Sequence, residues 1–224
     1  MISLTVIDSL HYKPSIKAAN KTIQTLGDKI TKVYWFSDIG TDEINGAEVT
    51  WVKIPKIKNY NDEYGFITLK MVPQICTESH NLIIHSDGFA VNKEAWTDEF
   101  LEYDYIGAAW SNGMVGNGGF CLRSRKLYDA LLYMNIGYKT PDYKDYLNNS
   151  EYYVITNGEQ LVPEDNIICK IYKHTLETKY GIKFAPTHIA NRFSVEHNYN
   201  HEWVGKSLGF HGKHGIALQY GVEL

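Results

Sequence analysis

The chain has 224 residues, 44% hydrophobic, 13% aromatic and 21% charged, with 22 Lys and Arg against 26 Asp and Glu and a formal net charge of −4. That composition describes one soluble globular domain, able to bury about 70–75% of the surface its unfolded form exposes without disulfides or a structural metal. It excludes a membrane span, since no stretch approaches ~18 consecutive apolar residues, and its mild acidity gives no global attraction to nucleic acid or anionic lipid.

Only Arg123, Arg125 and Arg192 are arginines, which weakens any base-reading role. Cys76, Cys121 and Cys169 lie far apart with no CxxC pair. Their spacing argues against a disulfide framework and a thiolate zinc site, and fits a reducing, cytoplasmic compartment. The opening segment MISLTVIDSLHY has a short apolar run without a basic n-region, and Asp8 interrupts it. It reads as a buried strand and not as a signal sequence.

Ile2 to Ile7, Lys32 to Phe36 and Glu48 to Ile54 carry the β-branched alternation of strands. Between the first two, Ser15 to Leu26 repeats apolar residues at helical spacing, with Pro14 at its start and Gly27 at its end. Asp62 to Ile75 reads as a second helix despite Gly65 and Pro73, and Asn81 to His85 as an apolar strand from the middle of a parallel sheet. The first 90 residues thus form a β-α-β-based, nucleotide-binding half. Beyond them the pattern becomes mixed α+β: a short helix at Trp96 to Tyr103, strands at Tyr105 to Ala109 and Gly118 to Leu122, and a helix from Arg125 to Met134. Residues 136–160 are polar and aperiodic and read as a long loop, a candidate lid. Pro163, Glu164 and Asp165 then open a helix to about Lys179. No repeat or linker divides the chain, so the whole is an α/β single domain with a Rossmann-like, mostly parallel central sheet flanked by helices.

Four constellations carry chemistry. His85-Ser86-Asp87-Gly88-Phe89 follows the apolar strand, where open α/β sheets bind ligands. There His85 and Asp87 could share a cation, or Asp87-Gly88 could be only a turn with an Asx hydrogen bond. Gly116-Asn117-Gly118-Gly119-Phe120 allows close backbone approach to a ligand but lacks the Lys-Ser/Thr of a phosphate loop, so a tight turn or bulge competes. Pro163-Glu164-Asp165 offers a general base or an ordinary acidic first turn. Phe210-His211-Gly212-Lys213-His214-Gly215 offers an imidazole ligand and a phosphate-binding ammonium. His197 and His201 stand at i, i+4, but no Glu follows the first as in HExxH and the interior is a poor helix, so a surface loop competes there. Lys53, Lys56 and Lys58 make a local basic cluster that reads as a solvated strand edge.

Taken in order, VIDS, FSD at 36–38, LIIHSDGF, EAWTDEFLEYDYIGAAW, GNGGFCLRSRKL, PEDNIICK, FAPTHIANRFSVE and LGFHG resemble DUF5672, a family of glycosyltransferase-like domains of unknown function. The same order is distantly similar to β1,3-galactosyltransferase-type enzymes of the GT-A fold. The resemblance implies that Asp87 is the last position of a DxD-type triplet holding Mn²⁺ or Mg²⁺ against a donor pyrophosphate, with His85 and Ser86 where that triplet has its first two residues. It implies that Asp165, beside Glu164, is the general base of an inverting transfer, with Asn166 in place of an apolar residue. His211 matches the histidine that completes the metal site.

Strand order places Asp8 and Asp38 toward the nucleoside base or ribose; Ser9, Ser86 and Lys213 are further donor-binding candidates, Lys213 as a point charge on a phosphate. Trp110, Asn117, Gly118 and Gly119 are candidates for acceptor or sugar contact, a core role for Trp110 competing. The expectation is a glycosyltransferase using a nucleotide sugar, a UDP-sugar above all, with a saccharide, lipid-linked, protein or modified-nucleobase acceptor. The rivals are a metal-dependent hydrolase built on His85, Asp87, His211 and His214, and a non-catalytic nucleotide-sugar-binding module.

Overall fold

The computed structural model describes residues 2–58, 60–137, 148, 154–156, 159–196, 202–212 and 214–221. Four strands, β1 (Ile2–Ile7), β2 (Ile30–Ser37), β3 (Glu48–Lys53) and β4 (His80–Ile84), run parallel in the order β3-β2-β1-β4. β7 (Phe120–Ser124) adds antiparallel to β4, and the two-residue β6 (Tyr105–Ile106) antiparallel to β7, which completes a six-stranded sheet.

Side-chain alternation explains why both faces of this sheet are covered. Leu4, Val6, Val33, Trp35, Leu82, Ile84, Phe120 and Leu122 point to one apolar cluster, while Ile7, Tyr34, Phe36, Ile83 and Cys121 point to the other. On the first face α1 (Tyr12–Leu26) packs Ala18, Ala19, Ile23 and Leu26, and α7 (Thr187–Phe193) packs Ile189 and Phe193. The second face takes α4 (Arg125–Met134) and two helical runs interrupted by π-turns. Its buried polar side chains satisfy one another: Asn81 Nδ2 donates to Ser3 Oγ and Thr5 Oγ1, and Tyr128 OH donates to Asn81 Oδ1 at 2.9 Å.

The sequence pattern places most elements to within a few residues, and the differences have physical causes. α1 starts at Tyr12, ahead of the expected Ser15, because Pro14 is tolerated in the first turn, where no intrahelical N–H bond is made. The expected Asp62–Ile75 helix is α2 (Tyr60–Phe66), a π-turn at Ile67–Met71 and α3 (Val72–Ile75), the π-turn falling just before Pro73. Trp96–Tyr103 is not an α-helix but a 3₁₀ turn at Asp98–Glu102, its start capped by Thr97 accepting from Glu99 N–H. The expected strand to Ala109 ends at Ile106, where Tyr105 OH and the backbone turn to meet the glycine-rich segment. Gly118 precedes β7 instead of opening it.

Most of the 136–160 loop lies outside the described residues, but its distal part contributes β8 (Val154–Thr156), which pairs antiparallel with β9 (Glu159–Leu161). The Pro163–Lys179 helix is α5 (Glu164–Asn166), a π-turn at Ile167–Ile171 and α6 (Lys173–Tyr180), ended by Gly181 in the left-handed region.

A second, three-stranded sheet joins distant segments: β10 (Ser194–Val195) runs parallel to β11 (Gly209–His211), which pairs antiparallel with β5 (Gly88–Ala90). β5 follows the end of β4 directly, so this small sheet carries the C-terminal segment to the carboxyl end of the large one.

Candidate active site

With β2 and β3 on one side of β1 and β4 on the other, the strand order reverses direction between β1 and β4. A crevice must open beyond their carboxyl ends, and a cleft of about 600 Å³ lies there, lined by Asp8, Ser9, His11 and Ser15 on one side and by His85, Ser86, Asp87 and His211 on the other. Asp8 is fixed within it. Its Oδ1 accepts the N–H groups of Leu10 (2.6 Å) and His11 (2.8 Å), and its Oδ2 accepts the Ser15 hydroxyl. The Asp8 carboxylate therefore ties down the turn that leads into α1 and bonds the Ser15 hydroxyl of its first turn. Ser9 Oγ accepts the Ile57 N–H at 2.7 Å and pins the segment after β3 against this end of the sheet.

The HSDG segment is a turn closed by backbone bonds between His85 and Gly88. Gly212 N–H donates to Asp87 O at 2.9 Å and holds β11 against it. His85, Asp87 and His211 each offer a ligand atom, and these atoms lie within 4.8 Å of one another. A two-imidazole, one-carboxylate set suits a borderline divalent ion, and its convergence on one point fits the cation implied by the DxD-like position. His211 Nε2 is 3.6 Å from Asp87 Oδ1, and its Nδ1 is 3.3 Å from Glu196 Oε1. Burial pulls the His211 pKa down, but the Glu196 hydrogen bond and the Asp87 and Glu196 charges outweigh it and raise the value overall. His85 behaves oppositely: burial first, then the neighbouring His211, lower it to about 3, so its ring is a neutral donor. Its Nε2 lies 2.7 Å from the Tyr64 hydroxyl.

A smaller cavity of about 180 Å³ adjoins the same two histidines and contains Asn117, Gly118, Gly119, Glu196 and Asp165. Asp165 accepts the N–H of Gly118 (3.2 Å) and of Asn166 (2.7 Å). Burial and then the nearby Glu164 charge raise its pKa from 3.8 to about 7, which is the range a general base needs. Glu164 is committed elsewhere: its Oε1 accepts from Arg123 Nη2 at 2.8 Å, in an ion pair whose side chains are 7% and 0% exposed. Of the two adjacent carboxylates, both of which line the smaller cavity, Glu164 is paired with Arg123, and Asp165 has no cation partner among the described residues.

The glycines of GNGG serve close approach of side chains. A Cβ on Gly119 would stand 2.0 Å from His211 Nε2, and one on Gly118 2.0 Å from Glu164 Oε1. Asn117, at φ 63°, accepts the Gly119 N–H and turns the segment into β7. Trp110 lines neither cleft. Its half-buried ring packs where a Cβ on Gly116 would fall, with the Lys170 ammonium 4.4 Å from the ring centroid. Asp38 is likewise outside the larger cleft's lining and accepts the Tyr12 hydroxyl at 2.8 Å.

Lys213, His197 and His201 lie outside the described residues, as does the side chain of His214, the first residue of α8 (His214–Gln219). Reasoning from sequence missed Tyr64, His11 and Glu196. Tyr64 sits in the NDEYGF run and Glu196 at the end of FSVE, with no spacing that ties either to a histidine.

These features define a glycosyltransferase fold of the GT-A type. The structure is similar to mouse xyloside xylosyltransferase 1 (TM-score 0.56, 11% identity, over 96% of this chain and 99% of that one). It is also similar to a glycosyltransferase involved in glycosylation of the major capsid of PBCV-1 (TM-score 0.54, 10% identity, 98% and 97%). A third neighbour is the glycosyltransferase GlyE of Streptococcus pneumoniae TIGR4 (TM-score 0.52, 12% identity, 93% of this chain), and the chain spans only 53% of that protein. Residues 54–211 match the family described as "Protein of unknown function (DUF5672)", and the chain belongs to that family. No curated protein matches the sequence. Among the described residues, no helix is long and apolar enough to cross a membrane.

Proposed function

We propose that the protein transfers a sugar from a nucleoside diphosphate sugar, a UDP-sugar above all, to an acceptor hydroxyl, with the first 90 residues holding the nucleotide and the remainder supplying the acceptor pocket and the base. The observation that carries this reading is the shared boundary of the two cavities: His85 and His211 border both the 600 Å³ cleft and the 180 Å³ cavity that contains Asp165. Donor and acceptor can meet there.

With both Asp8 oxygens engaged by the Leu10 and His11 N–H groups and the Ser15 hydroxyl, the diphosphate lies across the cleft toward His85, Asp87 and His211, and the nucleoside on the Ser9–Ile57 side. His85, Asp87 and His211 would hold a divalent ion that, when bound, would supply charge neutralisation for the departing diphosphate, and a set with two nitrogen donors favours Mn²⁺ over Mg²⁺. Asp165 takes the acceptor hydroxyl proton as the acceptor oxygen bonds to the anomeric carbon. The carbon–oxygen bond to the diphosphate breaks, its electron pair leaving with the nucleoside diphosphate. General-base assistance of this kind is worth about 10²–10⁴-fold. The chemistry admits saccharide, lipid-linked, protein and modified-nucleobase hydroxyls. Three buried thiols without a disulfide, Cys76, Cys121 and Cys169, support work in a reducing, cytoplasmic compartment.

The test is a thermal-shift screen of UDP, GDP, CMP and TDP with Mn²⁺, with Mg²⁺ and without metal. A ligand at 100 times its dissociation constant adds about 2.7 kcal/mol, so UDP with Mn²⁺ raises Tm, Mg²⁺ does so less, and Asp87→Ala abolishes the effect. No shift with any nucleotide refutes the donor site. Tight zinc retention with hydrolysis in the absence of an acceptor would identify the His85–Asp87–His211 set as a hydrolase centre instead.

A further inference from the structure

We infer that Glu196 is a positioning residue for this cation site: its carboxylate accepts a hydrogen bond from the Nδ1–H of His211 and thereby presents Nε2 to the ion. The inference rests on reading His85, Asp87 and His211 as a divalent-ion site, and concerns a residue 15 positions away from the histidine it acts on.

The small sheet brings the two together. β10 and β11 pair in parallel with Ser194 opposite Gly209 and Val195 opposite Phe210, so the next step along both chains sets Glu196 beside His211. Residues in register on neighbouring strands share a face, and Glu196 Oε1 lies 3.3 Å from His211 Nδ1. The Glu196 side chain is 13% exposed and that of His211 18%, so water competes poorly for the contact.

A neutral imidazole carries one proton, and the nitrogen that carries it cannot ligate a metal. A carboxylate facing Nδ1 fixes the proton there and leaves the Nε2 lone pair, the nitrogen 3.6 Å from Asp87 Oδ1, aimed at the shared point. Without that acceptor the ring is free to take the other tautomer or to rotate.

The experiment titrates Mn²⁺ into the full chain by calorimetry, with electron paramagnetic resonance counting free ion, for wild type, Glu196→Gln and Glu196→Leu. Glutamine keeps an oxygen that accepts from Nδ1–H and leucine does not. The expected result is affinity within about threefold of wild type for Glu196→Gln and about 10–100-fold weaker for Glu196→Leu. Imidazole ¹⁵N spectra place the His211 proton on Nδ1 in wild type and Glu196→Gln and on a mixture of nitrogens in Glu196→Leu.

Circular dichroism checks folding of each variant. Should leucine prevent folding, Glu196→Ala replaces it, and added acetate restores its Mn²⁺ affinity. Leucine binding Mn²⁺ as tightly as wild type, or glutamine as weakly as leucine, overturns the inference while Asp87→Ala and His211→Ala still lose the ion. Unimpaired Mn²⁺ binding in those last two variants overturns the cation site itself, and with it this inference.

Discussion

Replacing Asp165 by Asn should stabilise the protein at alkaline pH and do little at acid pH. Burial and Glu164 raise the Asp165 pKa from 3.8 to about 7, so between those values the native state holds a proton that the unfolded chain has released. The sign follows: the contribution of the protonated carboxyl is fully present below pH 3.8 and is lost as pH rises through about 7. A displacement of about three units corresponds to about 4 kcal/mol of native-state cost once the carboxylate is ionised. About 3 kcal/mol of that develops between pH ~5 and pH ~8.5. Asparagine removes this cost and keeps one carbonyl oxygen for the Asn166 N–H, but its amide cannot also accept from Gly118 N–H, a loss of about 1 kcal/mol at all pH values. The Tm difference between variant and wild type should therefore swing by about 6–12 °C across that range, at about 2–4 °C per kcal/mol for a chain of this size. The assay is thermal denaturation of both proteins, stripped of metal by a chelator, at several pH values. A Tm difference that does not change with pH refutes the claim that this carboxylate is pressed into its neutral form by burial. In the same variant sugar transfer falls by about 10²–10⁴-fold, so stability gained and activity lost at one position would mark a functional site.

Gly119→Ala places a methyl 2.0 Å from His211 Nε2, and the ring has to move. Calorimetry should show Mn²⁺ affinity lowered more than about tenfold with an overpacking cost of only about 1–3 kcal/mol; unchanged affinity would exclude His211 from the site. Arg123→Met leaves Glu164 buried without its partner, a cost of about 3–5 kcal/mol in urea unfolding. The double variant Arg123→Met, Glu164→Gln should recover much of that loss, since Arg123 Nε and Nη1 are buried without hydrogen-bond partners in the native pair. A single-variant cost below about 1 kcal/mol would contradict it.

The half of the site that sequence makes legible is the half built from local pattern. Alternation in ISLTVI, KVYWF, EVTWVKI and NLIIH sets the parallel strands, and parallel strands on both sides of β1 place Asp8 and His85-Ser86-Asp87 at one crevice. The other half depends on pairings of two or three residues. Nothing in the spacing of Glu196 and His211 announces that β10 and β11 will lie side by side, because strands that short carry almost no periodic signal. The same limit hides the Arg123 partner of Glu164. Adjacent carboxylates at a helix start look equivalent in sequence, and only the position of Arg123 on β7 decides which one is neutralised by a cation and which is left to rise in pKa. Trp110 and the GNGG glycines are legible as residues needing close contact, and of the two readings the sequence leaves open for each, the fold shows the contacts with side chains of its own.

Those glycines explain how two sheets can share one centre. β4 and β7 belong to the large sheet and β11 to the small one, and His211 enters between the His85 turn and the segment leading into β7 because neither Gly88 nor Gly119 has a Cβ. A centre assembled across that seam needs both sheets in place: β4 brings His85 and Asp87, β11 brings His211, and β10 brings the carboxylate that orients it. The seam also places Asp165 in the cavity on the far side of the same histidines. On the proposed reading, leaving-group stabilisation and proton removal are divided between the larger cleft and the smaller cavity, both of which His85 and His211 border. This division is what a transfer between two substrates requires and what hydrolysis at a single pocket does not.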